Sequence, residues 1–566
     1  MKLKIMLAVA VGAAVVAVPA VAEPEMSGRT VEYNVLARDG VDVHTVEQAV
    51  HGAGGTVTRS NAIAGLLTVT APENGFTERL SGAPDVLYAS RTVAIGHTPV
   101  DRVIADRDAV EKENRAGGKQ GERKSAPAGM DPLDGQLWGL TSVRSDLART
   151  KQPGDRRVKV GVLDTGVDGS HPDIAPNFDM ALSRNFTHDI PVDENGNTVD
   201  GPCEFRGCVD PANWDDGGHG THVAGTIAAA ADGFGISGVA PRVSIVNIRG
   251  GQDSGSFFLQ PVVDALTYAG DVGLDVVNMS FFVDPWLYNC EANMADTPEQ
   301  MAQQRTTVTA MTRALNYAHR KGVTQVVSLG NQHEDSGAPQ DDETSPNYPA
   351  GSAHHRIIDN ESCLVMPIEG PHTIGVAAYG PSGAKADYSS YGLEQISVSA
   401  PGGYYRDYFG TDRYRTNTNL VLSAYPKNVG IAEGAIDPAT GEVTPEAAKA
   451  GVQKACRGKV CGYYQYLQGT SMASPHAAGV AALIVSEYGQ FTGREVTMNP
   501  DDVQRVLEDT AFARPCPTPH TVSYRNEGRD DSFTATCVGD LAFNGFYGHG
   551  TVDAWSAVTN GEQYLG

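Results

Sequence analysis

Ser471 stands in Gly469-Thr470-Ser471-Met472-Ala473-Ser474-Pro475, a run of small residues leading into the helical stretch His476-Ala477-Ala478-Gly479-Val480-Ala481-Ala482-Leu483-Ile484. Glycine permits a tight turn, and Pro475 is tolerated only in a helix's first turn, where a missing N–H costs nothing. The Ser471 hydroxyl therefore falls at a helix N-terminus, where unpaired N–H groups and the positive dipole end suit a developing oxyanion. A serine is a weak nucleophile without a base, and an imidazole base needs a carboxylate to orient it. Both occur upstream. The alternation in Val158-Lys159-Val160-Gly161-Val162-Leu163-Asp164-Thr165-Gly166 reads as a buried strand ending in an acid and a turn glycine. Gly218-His219-Gly220-Thr221-His222 opens a small-residue helix whose glycines let backbone or substrate approach His219 closely. Asp164, His219 and Ser471 are thus the candidate orienting acid, base and nucleophile. Taken singly, each motif also reads as an ordinary strand-to-turn junction or helix cap.

The elements that must position these groups can be read from hydrophobic pattern. Apolar runs at 158–163, 243–248, 274–279, 323–329, 373–378 and 396–400 predict strands. Helical spacing at 258–272, 301–321, 471–488 and 500–510 predicts helices between and after them. Strands this apolar, separated by helices, predict an α/β fold: a doubly wound, mostly parallel sheet with helices on both faces. Reacting groups gather beyond the carboxyl ends of such strands, where Asp164 falls. Upstream, strand (31–36), helix (43–51), strand (56–60), strand (66–70), helix (75–81) and strand (85–89) predict a small α+β unit of split βαβ, ferredoxin-like pattern.

The chain order Asp, His, Ser is that of subtilisin. Together Asp164-Thr165-Gly166, His219-Gly220-Thr221-His222 and Gly469-Thr470-Ser471-Met472-Ala473-Ser474-Pro475 resemble the subtilase signatures, with a likeness covering most of residues 133–560. The resemblance implies a subtilisin-like fold and a serine endopeptidase acting on protein or peptide substrates. It implies that Asn331, closing Val326-Val327-Ser328-Leu329-Gly330-Asn331, shares the oxyanion with the Ser471 N–H. Val277-Asn278-Met279-Ser280-Phe281-Phe282 resembles the strand that pairs with extended substrate. Ser280, Phe281 and Phe282, with Ser328, Leu329 and Gly330, would line the cleft. Phe281 and Phe282 replace the family's usual leucine and glycine, which predicts a reshaped cleft. Asp173 and Asp232, with Gln136 as a further ligand, match positions of a calcium site in many subtilases; the chemistry itself requires no cofactor. His222 lacks the intervening glutamate of a zinc motif and reads as a packed ring. The unit at 30–93 is similar to inhibitory subtilase propeptides, making the chain's own propeptide a partner. Gln136-Leu137-Trp138-Gly139-Leu140 resembles a mature start, and Tyr547-Gly548-His549-Gly550-Thr551-Val552-Asp553-Ala554 resembles a closing segment.

Lys2 and Lys4, an apolar run at 5–18 and Ala20-Val21-Ala22 predict a secretory signal cleaved after Ala22, hence a secreted, extracellular protein with no membrane partner once the signal is removed. The expected organisation is signal peptide 1–22, propeptide 23–104, exposed cleavable linker 105–132 and catalytic domain 133–566. Lys and Arg number 43 against 68 Asp and Glu, a formal charge of −25, which argues against nucleic acid as a partner. Eight cysteines in an exported chain point to disulfides rather than thiolate–zinc. An even count allows roughly a hundred pairings. Spacing favours Cys203–Cys208, Cys456–Cys461 and Cys516–Cys537, leaving Cys290–Cys363 by elimination. Insertions at 203–208, 284–300, 351–371 and 404–466 read as lids, specificity loops or pinned surface decoration. A base that must be neutral predicts activity falling below about pH 6 to 7. The rival classes are a catalytically silent peptide-binding protein on the same fold and an α/β-hydrolase esterase. The latter needs Ser before Asp before His and a Gly-x-Ser-x-Gly elbow, and neither occurs.

Overall fold

Apolar residues build the two largest sheets of the computed structural model, which describes residues 29–92, 110–116, 119–122, 124–126, 130–192, 198–347, 351–493 and 495–565. The expected signal peptide and its cleavage after Ala22 lie outside the described residues, as do residues 93–109. At the N-terminus β1 (Thr30–Ala37), α1 (Val43–Gly52), β2 (Thr56–Asn61), β3 (Leu66–Pro72), α2 (Phe76–Leu80) and β4 (Val86–Arg91) form an antiparallel sheet of order β2-β3-β1-β4. Val31, Tyr33 and Val35 pack with Val46, Val50 and Phe76 of the two helices. Leu36 and Leu66 belong instead to the core of the following unit. A strand's side-chain period of two gives this unit one face for its own helices and one for its neighbour.

In the main sheet, β5 (Lys159–Leu163), β6 (Arg184–Asn185), β7 (Ser244–Arg249), β8 (Val276–Met279), β9 (Thr324–Ser328), β10 (Thr373–Tyr379) and β11 (Val398–Pro401) lie in the order β11-β10-β9-β8-β5-β7-β6. All of its ladders are parallel. The fold is the subtilisin-like α/β sheet that the sequence predicts. Strand order reverses around β5, with β7 on one side and β8 on the other, so a crevice opens beyond their carboxyl ends. Val160, Val162, Val276 and Val326 pack with α3 (His219–Ala228) and α6 (Thr470–Tyr488). Leu163, Val246, Val277 and Val327 pack on the other face with α4 (Leu259–Asp271) and α5 (Pro298–Arg320). Helix α5 begins before the expected residue 301 because Thr297 and Gln300 form a reciprocal capping box ahead of Pro298. It also seats the N-terminal unit: Arg313 donates to Ala64 O at 2.7 Å and to Ala37 O at 3.0 Å. Asn61 donates to Asp264 and Thr267 of α4 at 2.9 and 2.8 Å.

All four expected cysteine pairs are disulfides. The insertion at 404–466 contains an antiparallel sheet, β12 (Val421–Tyr425), β13 (Gln453–Arg457) and β14 (Val460–Leu467), in the order β12-β14-β13. Tyr425, Val429, Ile436 and Tyr463 give it a small core of its own. Among the described residues no helix is long and apolar enough to cross a membrane.

The region read as an exposed linker departs from that reading. Glu111 and Asn114 are buried. Lys112 and Arg115 pair with Glu433, and Glu113 pairs with Arg406. Asn114 donates to Ala450 O at 2.7 Å. The charges that suggested a solvated segment have their partners some 300 residues away, in the 404–466 insertion, so nothing local reveals them.

Leu163 is fully buried at the end of β5. Leu163→Ala should cost about 2–5 kcal/mol by the lost contacts and the cavity left behind. Denaturant unfolding of the variant beside the parent chain would measure it.

Candidate active site

Asp164 follows the last residue of β5 and is wholly buried. Its Oδ1 accepts from His219 Nδ1 at 2.7 Å and from the Thr165 N–H at 2.8 Å. This bond fixes the imidazole with Nδ1 protonated and Nε2 turned to the cleft. His219 is the first residue of α3, entered through Gly218 at φ +81°, a conformation that favours glycine. Gly220 has a different reason: a Cβ there would lie 2.1 Å from Gly166 O and 2.9 Å from Asp164 Cβ. The helix start rests directly on the strand end. Asp215, absent from the sequence-derived candidates, ties the junction together. Its buried carboxylate accepts from Gly218 N at 2.8 Å, Thr221 N at 3.0 Å, Thr221 Oγ1 at 2.6 Å and Thr165 Oγ1 at 3.1 Å. Its position ahead of Gly217-Gly218-His219 is the signal that could have found it, as a helix-capping acid.

Ser471 is the second residue of α6 and 4% exposed; its Oγ donates to Ser280 O at 3.4 Å. Asn331 Oδ1 accepts from Thr470 N at 2.9 Å and from Thr470 Oγ1 at 2.8 Å. An N–H can donate only to the carbonyl side, so these bonds fix the amide orientation and present Nδ2 to the cleft. A methyl group at Gly469 would stand 3.4 Å from Asn331 Nδ2 and 3.4 Å from Glu111 Oε1.

His219, Ser471 and Asn331 line one cavity of about 730 Å³. The residues assigned to substrate binding also line it, with different roles for their side chains. Phe281 stacks on Phe257, with ring centroids 4.0 Å apart and planes 3° from parallel, which makes it a fixed wall. The Ser280 side chain turns away from the cleft, accepting from Asn278 Nδ2 at 2.9 Å and meeting Ser474 Oγ at 2.8 Å, so it braces the start of α6. Phe282, Ser328, Leu329 and Gly330 line the cleft directly. Glu334 and Glu369 contribute acidic wall, their carboxyls both pushed up to about 7 by burial. Into this space comes Glu111, 2% exposed, with Oε1 3.5 Å from His219 Nε2. Its peptide is held by Gln468, whose N–H donates to Glu111 O at 3.1 Å and whose Nε2 donates to Val110 O at 2.9 Å.

At the positions expected to hold calcium, protein donors meet part of the acidic oxygens, while Asp173 Oδ1 and Asp131 Oδ2 stay buried without a hydrogen bond. Asp173 Oδ2 accepts from Tyr464 Oη at 2.7 Å and Ile236 N at 3.0 Å, while Asp232 pairs with Arg457 at 3.2 Å. Gln136 Oε1 accepts from Tyr466 Oη and from Gln453 Nε2, each at 3.0 Å. The β13–β14 hairpin thus supplies two phenols, a guanidinium and an amide to the groups expected to surround an ion. Among the described residues, neither Asp173 nor Asp232 joins a group of three ligand side chains. His222 is packed: its Nε2 lies 3.2 Å from Val421 O and 3.2 Å from Gln465 O, linking α3 to the insertion sheet.

An acid, an imidazole and a hydroxyl at the carboxyl edge of a parallel α/β sheet, with an amide beside them, define a subtilisin-type serine endopeptidase. The sequence profile of the Peptidase_S8 subtilase family matches residues 155–550, and the chain belongs to that family. It is 28% identical over 406 residues to fervidolysin of Fervidobacterium pennivorans, covering 70% of this chain but only 43% of that protein. It is 27% identical over 375 residues to subtilisin DY of Bacillus licheniformis, covering 66% of this chain and 93% of that one. Among solved structures, the epidermin leader peptide processing serine protease of Staphylococcus aureus superposes with a TM-score of 0.58 at 18% identity. That match covers 94% of this chain and 98% of the other.

Gly220→Ala should displace α3 from β5 and cut kcat by at least about tenfold through the Asp164–His219 geometry, with Lys459→Ala, at an exposed position, as control. Burial lowers His222 to about 3 from the ordinary histidine value of 6.5. Between those values the unfolded chain binds a proton that the folded chain refuses, so stability falls as pH falls through that window. His222→Gln should flatten this acid loss by up to about 1.4 kcal/mol per pH unit, read from denaturant melts at successive pH values.

Proposed function

We propose that this chain is a secreted serine endopeptidase made as a self-inhibited precursor. The observation that carries the reading is the Asp164–His219 pair at 2.7 Å, opening on the same cavity as Ser471 and Asn331. His219 Nε2 takes the Ser471 proton as Oγ attacks a peptide carbonyl, and Asp164 holds the tautomer and stabilises the imidazolium. The Asn331 amide and the Ser471 N–H receive the oxyanion, and water then resolves the acyl-enzyme. Substrates are extended peptides pairing beside β8, with Phe281 and Phe282 narrowing the cleft.

Self-inhibition is supported by Glu111. Its carboxylate stands beside the imidazole edge that must accept the serine proton, in the space a scissile peptide would occupy. The N-terminal unit, seated on α4 and α5, leads the chain toward this position and acts as propeptide; cleavage in or before 110–126 would release it. Export is supported by the N-terminal charge and apolar pattern and by four disulfides, which persist in oxidising compartments.

Ser471→Ala should abolish peptide hydrolysis and leave the precursor uncut, while still folding; turnover in that variant would remove Ser471 from the mechanism. Asn331→Leu should lower kcat by about 10²–10³ with less change in KM, the size of effect measured for the equivalent loss in subtilisin itself. Glu111→Ala should shorten the lag before activity in freshly folded precursor, and should leave the kcat of fully processed enzyme unchanged.

A further inference from the structure

The segment that carries Glu111 into the cleft brings a second carboxylate with it, and the groups that receive this one belong to the rest of the molecule. Glu113 Oε1 accepts from Arg406 Nε at 2.7 Å and lies 2.6 Å from a second nitrogen of the same guanidinium. Its Oε2 accepts from Gln468 Nε2 at 3.0 Å and lies 3.9 Å from the Arg529 guanidinium. Arg406 opens the 404–466 insertion, Gln468 stands three residues ahead of Ser471, and Arg529 lies in the loop closed by Cys516–Cys537. Each is also held by a bond that does not involve Glu113. Arg406 donates to Glu527 O, Gln468 Oε1 accepts from Tyr405 N at 2.7 Å, and Arg529 pairs with Asp387. The three donors therefore keep their arrangement when Glu113 leaves.

The local charge fixes what can replace it. Asp387 is wholly buried, paired with Arg529 and 3.7 Å from Arg406. Glu527, the other acid within reach, meets Tyr404 Oη, and burial beside Asp387 pushes its carboxyl up to about 8, so near neutral pH it is mostly protonated. Lys385, buried close to Asp387, adds to the positive side. With Glu113 present, two guanidiniums face two carboxylates; without it they face one. A poorly hydrated cation lacking its counter-charge is costly, so the emptied place favours an anion over an amide and rejects a cation.

This place adjoins the reacting groups. Arg529 and Phe533 line the same cavity as His219 and Ser471. Glu111, whose carboxylate faces His219, is two residues from Glu113, a chain span of at most about 7 Å. A substrate in the cleft can thus reach Arg406 and Arg529 with a side chain within about three residues of its scissile bond. We propose that Arg406, Gln468 and Arg529 form a subsite for an acidic side chain of the substrate, which Glu113 occupies in the precursor. The assignment rests on the reading of the chain as a precursor whose 110–116 segment leaves the cleft. Preferred substrates are then peptides with Glu or Asp close to the bond that is cut.

The test uses the processed enzyme and fluorogenic peptides of one neutral sequence cut at one bond, with Glu, Gln or Lys placed in turn at each position up to three residues on either side. At one position Glu should exceed Gln in kcat/KM by about tenfold or more, chiefly through KM, with Lys below Gln. The Glu-to-Gln ratio there should shrink as salt is raised. Arg406→Gln, which leaves Arg529 paired with Asp387, should bring that ratio close to one, and Arg406→Glu should turn the preference toward Lys. Cleavage of the neutral peptides with no position favouring Glu over Gln, or a preference that survives Arg406→Gln, would overturn the subsite and leave the protease reading intact. Failure to cut any of the peptides, or a processed chain that still carries Glu113, would overturn the precursor reading and the subsite with it.

Discussion

The hydrogen bond from His219 to Asp164 is the constraint around which the molecule is arranged, since it demands that a strand end and a helix start touch without a side chain between them. Asp164 is wholly buried, so its charge is tolerable only while the imidazole and the Thr165 N–H serve it. That requires α3 to sit against β5 more closely than any Cβ at position 220 would permit. Asp215 then satisfies the N–H groups that such an abrupt helix start leaves open. The sheet reversal around β5 provides the crevice; the glycine contact and the capping acid set the imidazole within it.

What could be read in the sequence follows from how local its cause is. The β5 and β9 strands were legible because a buried parallel strand is apolar on both faces. The three short disulfide loops were legible because their cysteines are near neighbours. Asn331 was reached through resemblance, yet the structure supplies what a motif cannot: Thr470 holds its carbonyl oxygen and thereby aims its amide. Two features had no local signature. Phe281 stacks on Phe257 from another segment. Glu113 meets Arg406, and Lys112 meets Glu433, across most of the chain. Asp215, by contrast, has a local signature, since its carboxylate caps N–H groups only three and six residues on.

In the proposed precursor, residues 110–116 act as a plug that is both secure and removable. Its individual ties are modest: partly exposed ion pairs such as Arg115–Glu433 contribute roughly 0–1 kcal/mol each, and the buried Glu111 gives up hydration to stand beside the imidazole. What holds the plug is the number of ties together with covalent connection on both sides, which keeps its effective concentration at the cleft high. A single cut in the chain nearby lowers that concentration without disturbing any contact. The separated peptide then competes as an ordinary ligand, and each lost ion pair or proteolytic nick weakens it further. The plug is held by Arg406 and Glu433 of the insertion and by Gln468 beyond it, and only its Glu111 faces His219, so the bonds among Asp164, Thr165 and His219 and between Asn331 and Thr470 do not depend on it.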